Sequence, residues 1–254
     1  MVAMRFGAPL LLLALAGALV VDRTMTGMDA GPWTALGSLP WFTLVWVSMM
    51  AAMMLPSTVP ATALYGTLGR ARPGRTGPAM VFAAGYLLVW LAVGLAAFAA
   101  DAIIRRWAGT GLDWSAGGRW VASGALVLAA AWQVTPLKRT CLSRCRSPVG
   151  VFTRNWRDGW PGALALGARL GGWCVGCCWA LMLALFALGV MSITWMVVVA
   201  VVVALEKVAP WPRAAALGAA VALAALAVGI GVAPAHVPGL TVPGTGMADG
   251  MGMG

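Results

Sequence analysis

Gly172-Trp173-Cys174-Val175-Gly176-Cys177-Cys178-Trp179-Ala180-Leu181-Met182 places three of the chain's five cysteines inside an apolar run of membrane length. At roughly 100° per residue, Cys174, Cys177 and Cys178 share one helix face at i, i+3 and i+4, and Met182 stands one turn beyond Cys178. Four sulfurs therefore line one stripe. Such a stripe suits a soft-metal site, a thiol redox site or close packing.

Around it the composition is that of a membrane protein. Of 254 residues 61% are hydrophobic and 9% charged, against about 25% charged in soluble domains. The apolar residues form long blocks, and the predicted fold class is an all-α polytopic membrane helix bundle of about seven spans: residues 7–21, 41–64, 79–100, 118–134, 162–189, 194–209 and 213–233. Residues 161–210 are too long an apolar stretch for one crossing of a core about 30 Å thick, so they divide near Gly189 to Thr194 into a hairpin. The first run also reads as a signal peptide, with Ala14-Leu15-Ala16 as a small-x-small cleavage site. The spans make a single membrane domain, 1–233. Residues 234–254 are a flexible Gly/Pro/Met-rich tail.

A net charge of +10 does not imply nucleic acid here, because the basic residues sit in short connections between apolar blocks. With the N-terminus cytoplasmic, twelve of the 17 basic residues fall on the inner side and four on the outer, with Arg169 inside the fifth span. This predicts a bacterial inner membrane protein with its C-terminus outside. His236, the one histidine, cannot form a bis-histidine haem site within one chain. There is no Ser/His/Asp set, no paired carboxylates and no Gly-rich phosphate loop, so no haem, no nucleotide and no hydrolytic or phosphoryl-transfer activity is expected.

A second sulfur cluster lies in the second span, where Met49, Met50, Met53 and Met54 form two interleaved i, i+4 pairs just before Pro56, a proline that leaves a backbone carbonyl free and favours a kink. Counted from the span ends, both clusters fall near the membrane midplane. Thiolate and thioether donors select Cu(I) and other soft ions. The sharp expectation is a Cu(I) site walled by Cys174, Cys177, Cys178 and Met182 on one side and the four methionines on the other. In the basic fourth connection, Cys141 and Cys145 would be an inner hand-off pair. Met247, Met251 and Met253 in the tail would be an outer capture site. The competing readings are packing by small and adaptable side chains in an accessory subunit of a larger membrane complex, and a membrane thiol oxidoreductase. Glu206 at the end of the sixth span is a functional candidate by its ionisable nature, with adjacent Lys207 as a local ion-pair partner or snorkelling cation.

Four motifs in order carry a resemblance: Trp46-Val-Ser-Met-Met-Ala-Ala-Met-Met-Leu-Pro-Ser57, Thr135-Pro-Leu-Lys138 leading into Cys141-Leu-Ser-Arg-Cys-Arg-Ser-Pro148, Gly176-Cys-Cys-Trp-Ala-Leu-Met182, and Gly189-Val-Met191 with Glu206-Lys207. Together they resemble the bacterial predicted metal-binding integral membrane proteins classed as domain of unknown function 2182, over roughly Trp41 to Pro210. The resemblance implies a membrane location and a bound metal. Apart from the resemblance, the residues themselves lead to the lipid bilayer and a soft metal ion as expected partners, with other membrane subunits in the accessory-subunit reading and no nucleic acid.

Overall fold

In the computed structural model, residues 2–25, 36–68, 77–108, 117–189 and 192–234 are described. Among them the regular elements are all α-helices: α1 (Val2–Met25), α2 (Leu39–Leu68), α3 (Gly77–Ala108), α4 (Arg119–Val134), α5 (Pro136–Arg146), α6 (Val149–Asn155), α7 (Gly159–Leu188), α8 (Ile193–Val208) and α9 (Pro212–Val232). The tail methionines Met247, Met251 and Met253, and the residues flanking them, lie outside the described residues.

Each of the seven expected apolar runs falls on one of these helices. By length and composition, four described helices can cross a membrane: Leu39–Thr62, Gly77–Trp107, Gly159–Leu188 and Pro212–Val232. A fifth is reached if α4 and α5 form one broken span. The other expected spans fall on α1, α4 and α8, and the last two have 16 residues each, about 24 Å of helix at 1.5 Å per residue.

The breaks follow local chemistry. Thr135 precedes Pro136 and takes the extended conformation that a following proline imposes. Its hydroxyl then accepts from Lys138 N at 3.2 Å, so the same dipeptide ends α4 and caps α5. The two helices meet at a 66° bend. At the end of α7, Gly189 has φ of 112°, a conformation that costs a glycine little, and Ser192 caps α8.

Residues 136–155 differ from expectation. The basic fourth connection is made of two short helices, and α5 turns Lys138, Cys141 and Leu142 inward at i, i+3 and i+4. The reason is the cap just described together with an apolar stripe too short to stand out among the arginines.

Packing places α7 at the centre, lying along α3 and touching α4, α5, α6 and α8, while α1 pairs with α2 and α4 with α9. Small residues make the α3–α7 approach possible. A Cβ on Gly167 would strike the Phe82 carbonyl, and one on Gly85 would strike that of Leu164. Helix backbones approach this closely where the facing side chains are small or absent. On α2, which runs unbroken through Pro56 and Pro60, the Trp46 indole N–H donates to the Trp90 carbonyl of α3 at 2.8 Å.

Candidate metal centre

The sulfur face of α7 is turned into the protein. Cys174, Cys177 and Cys178 are each 1% exposed and Met182 is 4% exposed. The three thiol sulfurs lie within 4.8 Å of one another, close enough to hold one metal ion. A metal bound to three thiolates at about 2.3 Å spaces the sulfurs about 4 Å apart, so small rotamer changes would bring these to a shared ion. None of the five cysteines is in a disulfide. Cys177 and Cys178 sulfurs are 3.2 Å apart, and the Cys177 thiol also donates to the Cys174 carbonyl at 3.2 Å.

A fourth thiol joins from a different helix. Cys145 Sγ lies 3.8 Å from Cys177 Sγ. Several contacts on α5 hold it there: the Arg144 guanidinium sits 4.1 Å over the Trp173 ring, and Lys138 Nζ donates to both oxygens of Glu206 at 2.7 Å. Gly176 gives α5 its clearance, since a Cβ at that position would come 2.8 Å from Cys141 Sγ. The pair expected to act together at a distance is thus divided: Cys145 adjoins the α7 thiols, and Cys141 packs beneath them against Gly176.

The fourth wall is a cation. Lys207 Nζ donates to Cys174 Sγ and to Ser57 Oγ, each at 3.0 Å, and approaches Met54 Sδ at 3.8 Å. Tyr86 Oη of α3 donates to the same Cys174 sulfur at 2.9 Å. The partner of Glu206 is therefore Lys138, 68 positions away, and not its neighbour Lys207, because consecutive residues on a helix point about 100° apart.

The methionine face of α2 is buried as well, with Met49, Met50, Met53 and Met54 all at 9% exposure or less. Of these, Met54 reaches the cluster, through Lys207. Elsewhere α2 meets α7 by the Trp46 and Phe186 rings, whose centroids are 5.8 Å apart. A cavity of about 250 Å³ adjoins the centre, lined among others by Ser57, Tyr86, Cys145, Arg146, Cys174 and Lys207.

Sequence reasoning placed the α7 thiols together and missed the approach of Cys145, Tyr86 and Lys207. One signal was available. Lys138 and Lys207 are the only lysines in a chain whose remaining basic residues are arginines, and Glu206 is its only glutamate.

A family model described as copper chaperone, PpoB2, matches residues 43–230. The chain belongs to this copper chaperone family. The match takes in all five cysteines, both lysines, Glu206 and the α2 methionines, and it leaves out the tail. It supports the copper expected from the sulfur donors and leaves the membrane location that the earlier resemblance implies untested. No curated protein and no solved structure matches the chain.

Proposed function

We propose that this copper chaperone is an integral membrane protein that takes up Cu(I) as cargo on its buried thiols and passes it on. The observation that carries the reading is the convergence of Cys174, Cys177 and Cys178 within 4.8 Å, fully buried, on a family member's central helix. Thiolates are soft donors and select Cu(I) over harder ions. Charge supports the same reading. An ammonium with no carboxylate beside it is costly in a low-dielectric interior, and two thiolates holding Cu(I) carry one net negative charge. Lys207, 3.0 Å from Cys174 Sγ, balances that charge.

In this proposal the seven apolar helices cross a bacterial inner membrane with the N-terminus cytoplasmic, and the arginine-rich α5–α6 segment lies on the cytoplasmic side. Cys145 and Cys174 both line the cavity on that side, and Cys145, 3.8 Å from Cys177 Sγ, would serve as a relay ligand. A thiol held on one helix can exchange onto Cu(I) while the others still hold it. Met247, Met251 and Met253 would collect the ion on the outer side. Met182 and the α2 methionines would serve as neighbouring soft donors, with Met54 nearest.

The test is anaerobic purification, Cu(I) loading and elemental analysis of the wild type beside a Cys174/Cys177/Cys178→Ser variant. The expected result is about one copper per chain in the wild type and near zero in the variant. Equal copper in both would end the proposal. A thiol count that falls on oxidation with negligible copper in either would favour the oxidoreductase alternative.

A further inference from the structure

Beside α5 lies a larger cavity, about 530 Å³, between the end of α4, α5 and the start of α9, with Arg146 shared between it and the cavity at the thiols. Its chemistry is distinct from that of the metal centre. Gln133 lines it and is 2% exposed, yet among the described residues neither its amide nitrogen nor its amide oxygen has a hydrogen-bond partner. Buried amides are normally satisfied, and leaving one unpaired is unfavourable. Three arginines, Arg139, Arg146 and Arg213, also line the cavity. Arg139 donates to the Val134 carbonyl and Arg146 to the Glu206 carbonyl. Among the described residues none of the three is in a salt bridge, whereas Lys138 beside them is neutralised by Glu206. The remaining wall is apolar, from Leu142 to the exposed Leu217.

Three lining arginines outside any described salt bridge, an apolar flank and an unsatisfied amide suit an amphipathic anion. We infer that this cavity binds the headgroup of an anionic phospholipid. The phosphate would take the arginine forks, which match its geometry. Turned from its sealed position toward the cavity it lines, the Gln133 amide would donate to a headgroup oxygen and accept from a headgroup hydroxyl, as a glycerol headgroup supplies. An acyl chain would follow Leu142 and Leu217 along α9. Basic pockets at the cytoplasmic ends of membrane helices are suited to such lipids. The inference rests on the membrane placement proposed above, and it does not depend on the copper reading.

The test uses the full chain in detergent and titrates in phosphatidylglycerol, phosphatidylcholine or inorganic phosphate, reading bound lipid by native mass spectrometry and the thermal midpoint. Phosphatidylglycerol is expected to bind saturably and raise the midpoint, with phosphatidylcholine about tenfold weaker or more and inorganic phosphate without effect. Arg213→Gln should weaken that binding by about tenfold while leaving Cu(I) loading unchanged. Gln133→Leu should reduce the preference for the hydroxylated headgroup over phosphatidic acid. Equal binding of the two phospholipids, a full effect from inorganic phosphate, or unchanged binding by Arg213→Gln would each overturn the inference. A chain that purifies without detergent would overturn the membrane placement instead, a result read separately.

Discussion

Lys138 and Lys207 approach the bundle interior from different helices, and each meets a different kind of partner. Lys138 is 1% exposed and held by both oxygens of Glu206 at 2.7 Å. Lys207, the residue after that glutamate, turns away from it to Cys174, Ser57 and Met54. A carboxylate two hydrogen bonds deep is a fixed counterion, and nothing about it changes when a soft metal arrives. Sulfur is different. Cys174 can hold a cation through its charge or a copper ion through its lone pairs. The first lysine therefore fastens α5 to α8, and in the proposed function the second adjusts to what the thiols carry.

The largest effect should come from breaking the fixed pair. Glu206→Gln leaves the Lys138 ammonium buried without its counterion, a loss of about 3–5 kcal/mol against a total stability of about 5–15 kcal/mol. The expected outcome is a strongly lowered thermal midpoint in detergent, read by circular dichroism. The double variant Lys138→Met/Glu206→Leu removes both charges and should recover most of it. Should Glu206→Gln melt with the wild type, the pair is not a fastening and the comparison fails at its firmer half.

At the sulfur-facing lysine the signature should be reversed. Lys207→Met removes a charged hydrogen bond worth about 1.5–3 kcal/mol, and the loss should fall on the loaded state, as a Cu(I) affinity about 10- to 100-fold weaker. Competition with a colorimetric Cu(I) chelator measures this, and the midpoint of the metal-free protein should move far less than in Glu206→Gln. Unchanged affinity would reduce Lys207 to a snorkelling side chain.

This contrast also marks what the sequence can and cannot convey. Helix positions were legible because lipid-length apolar runs are local, as were the breaks at Thr135-Pro136 and Gly189 and the shared face of Cys174, Cys177 and Cys178. Those depend on spacing along one helix. Lys138 finds Glu206 across 68 positions and Cys145 finds Cys177 across 32, and no periodicity carries such a pairing. Charge counting put Lys138 among the solvated arginines because it registers sign and location in a connection, not which side of a short helix faces in. The span count suffered in the same way: α4 and α8 are apolar yet only 16 residues long, and composition does not distinguish a short crossing from a helix buried by its neighbours.

The smallest effect should fall on the thioether beside the second lysine. Met54 is fully buried and its sulfur lies 3.8 Å from Lys207 Nζ. Leucine nearly matches its volume, so Met54→Leu should cost less than about 1.5 kcal/mol of stability. Its effect on copper separates two roles. As a neighbour that only shapes the lysine's pocket, Met54 can be lost with Cu(I) affinity within about threefold of the wild type. As a ligand that takes part in holding the ion, it would carry a soft donor bond, and its removal would weaken binding by about tenfold or more. The thiols already supply enough donors, three on α7 within 4.8 Å and a fourth from Cys145, and an ammonium stands between them and the thioether. The smaller change is therefore the expected one. A tenfold loss would mean that Lys207 swings aside on loading and lets α2 close on the metal, which would make the sulfur-facing lysine a gate as well as a counterion.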